Sequence, residues 1–177
     1  MTIKTMDAMF LHELGDIYDA EHQFLAGQEK MRDNATDAKL KKMISQHMTE
    51  TEQQIKNLER VFELLGEEPK REPCAGARGL VAEASKLLTE TASADEIRDY
   101  AIAGSASKAE QYEILSYEGL ISAAREMGHT EAVKLFKENL EQEEKTSKLL
   151  EESEPALLEK ALKAGGEQIS KSGGGKK

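Results

Sequence analysis

Tryptophan is missing from this chain, cysteine occurs once, proline three times, and aromatic residues make up 5% of the 177 positions. A single cysteine, Cys74, excludes an intrachain disulfide and fits a reducing compartment. No run of alternating Val, Ile or Thr is long enough to argue for a strand. Positive charge is in deficit, with 24 Lys and Arg against 34 Asp and Glu, a net charge of −10. That balance argues against nucleic acid as a main partner, because a DNA binder needs a basic footprint. Nothing approaches the roughly 20 apolar residues of a membrane span. The opening MTIKTMDAMF lacks the apolar run of a signal peptide, so a cytoplasmic location is expected.

What is present is helical. Hydrophobic residues reach 38% and charged residues 33%, and Leu, Ala, Glu, Lys and Met, all good helix formers, dominate. The spacing predicts a first long helix from about Thr5 to Asp33, with Thr5 as its cap. A second runs from about Ala38 to Leu65 and stops at Gly66. EEPKREPC, broken by Pro69 and Pro73, reads as a loop, and GLVAEASKLLTE as a shorter helix. SADE, Ser93 to Glu96, matches a capping box opening a third long helix that ends at Gly128. Thr130 is expected to cap a fourth, running to about Glu152, and Pro155 to open a short final helix ending at Gly165 and Gly166. Residues 1–166 then form one domain, and 167–177 a flexible Gly/Ser/Lys tail.

Two helical hairpins joined by about thirty residues have the connectivity of an all-α, ferritin-like four-helix bundle. Each long helix carries an inward seam with alternating steps of three and four residues. The first is Phe10, Leu14, Ile17, Glu21, Phe24, Gln28, Met31; the second is Leu40, Ile44, His47, Thr51, Gln54, Leu58, Val61, Leu65. The third is Ala103, Ala106, Glu110, Glu113, Tyr117, Leu120, Ala124, Met127; the fourth is Ala132, Phe136, Leu140, Glu143, Ser147, Leu150. All are apolar toward their ends and polar in the middle. Glu21, His47, Glu110, Glu113 and Glu143 take inward positions, and Glu50 lies one turn from His47 at the seam's edge.

Buried carboxylates are costly without partners, and several together repel. No seam contains a Lys or Arg. Either a cation sits among these residues, or protons and hydrogen bonds satisfy them. An oxygen-rich set with few nitrogens favours iron or manganese over zinc. Gln54, one turn from Glu50, is positioned to orient that carboxylate. Tyr18, Tyr117, Met31 and Phe136 read as packing residues, and His12, His22 and His129 as surface or capping residues. Cys74 falls in a loop with no His/Asp pattern beside it, and the acidic runs EQEEK and EESE read as solvated faces.

LHELGDIYDAEHQF, HMTETEQQIKNLERVFELLGE, KAEQYEILSYEGL and HTEAVKLFKENLEQEEKTSKLL resemble, in order, the YciE/YciF-type (DUF892-like) ferritin-like stress proteins of bacteria. The resemblance covers nearly the whole chain apart from the tail. It implies a ferritin-like bundle, usually a homodimer, linked to stress responses. The wider ferritin and rubrerythrin-like class places Glu on its first helix, Glu-x-x-His on the second and fourth, and Glu on the third. By that resemblance Glu21, Glu110, Glu113 and Glu143 are metal ligands, and His47 and Glu50 complete the expected set of six. The second helix departs, reading His47-x-x-Glu50, and the fourth reads Glu143-x-x-Thr146, so one nitrogen ligand stands where the class has two. The function expected is a di-metal iron or manganese protein handling peroxide or Fe(II). The alternative is a non-enzymatic dimer without tight metal binding that acts on other stress proteins through its surface.

Overall fold

A computed structural model describes residues 2–166, so the expected tail over 167–177 lies outside the described residues. These hold five helices and no strand: α1 (Met6–Asn34), α2 (Ala38–Leu64), α3 (Ala75–Glu90), α4 (Asp95–Glu126) and α5 (Thr130–Ala164). None of them is long and apolar enough to cross a membrane.

Local chemistry sets most helix ends. Thr5 accepts from the Ala8 N–H at 3.2 Å, and Asp37 accepts from Lys39 and Leu40, filling donors that a helix start leaves open. Beyond α2 and α4 the chain turns on Gly66 (φ 75°) and Gly128 (φ 80°), in the left-handed region where a Cβ is strained.

Long-range contacts give the directions. At one end, the Asp99 carboxylate of α4 accepts from the Thr36 and Asp37 N–H groups at 2.8 and 2.7 Å, in the α1–α2 turn. Lys160, near the end of α5, pairs with Asp37 at 2.6 Å. At the other end, His129 in the α4–α5 turn stacks on Phe10 of α1, centroids 5.5 Å apart. Thus α2 and α4 start at the same end, and each helix of the square runs antiparallel to its neighbours. The connection from α2 to α4 spans the bundle's length and packs α3 against α1 and α4. This is the ferritin-like four-helix bundle with a long crossover carrying a short helix.

The crossover is held by polar anchors. Asp19 of α1 accepts from the Cys74 N–H at 2.8 Å and pairs with Arg71 at 2.7 Å. The Glu72 N–H donates to the Gly15 carbonyl at 3.0 Å. A Cβ at Gly15 would meet the Lys70 carbonyl oxygen at 3.0 Å and the Glu72 Cβ at 3.1 Å. Gly15→Ala is therefore expected to lower stability by about 1–3 kcal/mol, since backbone must shift to admit it. Gly119→Ala, on an open face of α4 with nothing within 4 Å, is expected to raise stability by about 0.5–1 kcal/mol through helix propensity alone. Urea unfolding of the two variants distinguishes close approach from a general glycine effect.

Three expected boundaries differ. The fourth long helix and the short final helix are one element, with Pro155 inside α5. An interior proline costs about 3 kcal/mol. The chain bears it because Leu157 and Ala161, beyond the proline, are buried, Leu157 in one apolar cluster with Leu40 and Leu150. Ser93 does not cap α4; the cap position is Ala94, which makes no side-chain bond. Arg98 instead ties that turn by donating to the Ala92 and Asn34 carbonyls, both at 2.9 Å. Thr130 is the first residue of α5 rather than its cap.

The core divides along the bundle axis. Phe10, Leu14, Phe62, Ala124 and Phe136 belong to an apolar cluster at one end, and Met31, Leu40, Ile44, Ile102 and Leu150 to another. Between them the seams turn polar, so the polar layer is roofed and floored by hydrocarbon.

Candidate metal centre

Each long helix brings a polar side chain to this middle layer: Glu21 from α1, His47 from α2, Glu110 and Glu113 from α4, Glu143 from α5. All are buried, at 0–3% exposure. Ligand-capable atoms of His47, Glu110, Glu113 and Glu143 all lie within 4.8 Å of one another. His47 Nε2 is 3.2 Å from Glu110 Oε2 and 3.6 Å from Glu143 Oε2. Its Nδ1 faces the other way, 3.1 Å from Thr146 Oγ1 and 3.5 Å from Glu50 Oε2.

Around the cluster lies a set of orienting bonds. Tyr117 donates its hydroxyl to Glu21, and Asn139 donates to Tyr117 Oη at 2.9 Å. Asn57 in turn donates to Asn139 at 2.7 Å. Gln54 donates to Glu143. These bonds use one oxygen of Glu21 and one of Glu143 and leave others unpartnered. Glu21 Oε2, His47 Nε2, Glu110 Oε2, both Glu113 oxygens and Glu143 Oε2 are buried without a hydrogen bond. So many orphaned acceptors in one place are exceptional, because buried polar groups are normally bonded.

The electrostatics follow from that geometry. Burial, reinforced by the charges of Glu143, Glu21 and Glu110, holds the Glu113 carboxyl well above the usual range. Burial and the Glu110 charge do the same for Glu143, against the pull of His47. Burial raises Glu21 to about 7, although the Tyr117 bond and the His47 charge oppose it. For His47 burial works downward, but the charge of Glu110 at 3.2 Å, with Glu50 and Glu143, prevails and raises it well above its ordinary value. Without a metal, an imidazolium and retained protons do the neutralising. The donor set, carboxylate oxygens with one imidazole nitrogen, suits a hard or borderline divalent cation.

Four of the six expected ligands form that mutual cluster; Glu21 is buried beside it, bonded to Tyr117, and Glu50 stands outside it. Glu50 is half-exposed at the rim, 17% by side chain, and pairs with Lys145 at 2.7 Å. Its bond to His47 comes first, then, against burial, the pair with Lys145, and together they lower its carboxyl to about 2. Gln54 does not orient Glu50, because its side chain turns to Glu143. On α5 the buried positions are Asn139 and Thr146, while Leu140 and Ser147 are half-buried. Asn139 and Thr146 are the functional neighbours that sequence reasoning missed. The available signal was their spacing from Glu143, four residues before and three after. Tyr117, read as packing, is the direct partner of Glu21. Cys74 is not a loop thiol but the buried cap of α3, accepting from Ala77, with Sγ 3.0 Å from Tyr112 Oη.

Comparison with known proteins places these features in context. The family model described as a domain of unknown function, DUF892, matches residues 5–163. Protein YciF of Escherichia coli K12 is 36% identical over 147 residues, covering 82% of this chain and 88% of that one. The crystal structure of the E. coli stress protein YciF superposes with a TM-score of 0.83 at 34% identity, over 89% of this chain and 99% of that one. YcfI of Rhodopseudomonas palustris gives a TM-score of 0.82 at 36% identity, over 84% and 94%. A Xanthomonas campestris protein at 24% identity and a TM-score of 0.75, over 92% and 99%, shares the fold.

Proposed function

The chain belongs to the DUF892 family, and from that premise and the chemistry of its core we propose that it is a ferritin-like stress-response protein holding a pair of iron or manganese ions. The observation that carries this reading is the set of buried, unpartnered ligand atoms on Glu21, His47, Glu110, Glu113 and Glu143. Glu21, Glu110, Glu113 and Glu143 would hold the ions through carboxylate oxygens, and His47 would supply the nitrogen donor through Nε2. When bound, the metal pair supplies electrons for reducing peroxide or accepts them from Fe(II).

The protein's own residues hold that site in readiness. Glu50 and Thr146 face His47 Nδ1, so with metal bound the ring would keep its one proton on that side and turn the Nε2 lone pair to the cation. This makes Glu50 a positioning residue rather than a ligand. Tyr117 fixes the rotamer of Glu21, and Gln54 that of Glu143. The two apolar clusters exclude water and so strengthen attraction for a cation. In this reading the protein works in the cytoplasm as a homodimer.

A second reading is favoured by one observation: Thr146 stands where the class has its second histidine. On that reading the fold persists without tight metal, and the dimer acts on other stress proteins through its surface. Metal analysis of protein isolated without chelator or metal-affinity resin separates the two. About two ions of iron or manganese per chain are expected for a di-metal site of this class. A chain that stays empty after incubation with Fe(II) or Mn(II) belongs to the second reading.

A further inference from the structure

The cluster is closed to solvent almost everywhere. Glu21, His47, Glu110, Glu113 and Glu143 are sealed by the apolar clusters and by the helices themselves. On the α4–α5 face a bond from Gln111 to Ser147, 2.9 Å, lies across the seam. Against α3 lies a smaller cavity, ≈ 30 Å³, that reaches His47 and Glu110 between the side chains of Phe24, Met31, Leu80 and Val81.

The α2–α5 face differs. A groove of ≈ 720 Å³ runs between these helices, lined by Gln46, Glu50, Thr146 and Leu149 among others. Glu50 and Thr146 are the two side chains that touch His47 Nδ1. One carboxylate therefore spans from solvent to the buried imidazole. Its Oε1 is taken by the ammonium of Lys145 at 2.7 Å, and Lys145 is 51% exposed.

We propose that divalent cations exchange with the buried cluster through the α2–α5 groove, past Glu50, and that Lys145 is the lock on this entrance. The proposal rests on the metal-site reading above and adds a route and a gate to it. Glu50 alone among the carboxylates considered reaches solvent, so it is the first oxygen an incoming ion meets. The Lys145 ammonium occupies that oxygen at rest. Lys145 is half in water and Glu50 reaches it at the rim, so water takes up part of what is lost when the pair separates. An arriving cation replaces one positive charge with another, so Glu50 is never left unpaired at the rim. The ion then passes from Glu50 toward Glu110 and Glu143 as its waters are exchanged for carboxylate oxygens. Slow exchange of metal, in both directions, follows from the lock.

The test is the rate at which Co(II), a visible stand-in for the resident metal, enters the metal-free protein, followed by its d–d absorption, together with its rate of release to a chelator. Lys145→Gln is expected to speed both by about three- to tenfold at unchanged stoichiometry, the size of effect that follows from releasing one charge-assisted bond at a half-exposed site. Leu149→Trp, which fills the groove, is expected to slow both. Leu115→Trp, the same bulk at an exposed position of α4 away from the groove, serves as the control and is expected to change neither. Wild-type rates in Lys145→Gln overturn the lock, and wild-type rates in Leu149→Trp overturn the route. A wild-type protein that takes up no Co(II) overturns the metal site itself, a result that neither variant can mimic.

Discussion

Replacing Glu110 and Glu113 together by glutamine is expected to abolish metal uptake and to raise the melting temperature of the metal-free protein. Two anionic ligands are lost at once, and both Glu113 oxygens have no partner to lose. Glutamine is nearly isosteric and removes the like-charge repulsion among Glu21, Glu113 and Glu143. By analogy with buried ionic groups replaced by neutral ones, the gain is roughly 1–4 kcal/mol, read as about 2–4 °C per kcal/mol in a chain of this size. The two glutamates differ in their share. Glu113 contributes most of the gain. Glu110 faces His47 Nε2 at 3.2 Å, so Glu110→Gln alone withdraws the imidazolium's nearest partner and is expected to gain less. Scanning calorimetry of both single variants and the double variant, each stripped of metal, checks the order. If the glutamates were structural acceptors instead, the amide would satisfy fewer bonds. A double variant that melts lower, from a wild type with no stoichiometric metal, would end the di-metal reading.

The stability of the metal-free protein should peak near pH 5 and fall toward pH 8. Glu21 is raised from 4.5 to about 7, and Glu113 and Glu143 are raised further, all with burial as the leading cause. A raised folded-state value means that the folded chain binds the extra proton. The associated stability is complete below pH 4.5 and is lost as pH rises through the folded values. Glu21 alone accounts for a loss on the order of 3 kcal/mol across that window. His47, raised above 6.5 by Glu110 against its burial, works with the same sign from pH 6.5 upward. Asp37 and Glu50 have the opposite sign, since Lys160 leads in lowering the first and His47 the second. Their contributions are present above about pH 4.5 and disappear only as pH falls further. Saturating metal is expected to reverse the slope above pH 5, because ligands must shed protons to bind it. Urea midpoints at pH 5, 6, 7 and 8, with and without Mn(II), measure both slopes. A metal-free midpoint that rises over this range is incompatible with a carboxylate cluster held by protons.

The sequence by itself determined the helices, their antiparallel pairing and the polar middle of the bundle. It could do so because an inward face repeats about every 3.6 residues, and on four helices the one departure from hydrocarbon falls at mid-length. Glu21, His47, Glu110, Glu113 and Glu143 were legible as inward on that ground alone. Tertiary structure decided which atoms meet. On α5 a step of three or of four residues fits the same periodicity, and packing against α2 and α4 turned Asn139 and Thr146 inward in place of Leu140 and Ser147. Gln54 is one turn from Glu50 in the chain, yet it bonds Glu143 across the bundle, 89 residues away. Pro155 signals a break locally, but burial of Leu157 and Ala161 outweighs the lost hydrogen bond. Glu50 was legible at the seam's edge, one turn from His47, but only the neighbouring helix supplies its partner, Lys145. Periodicity specifies the face a residue occupies, whereas partner, exposure and charge balance depend on what the next helix brings to that face.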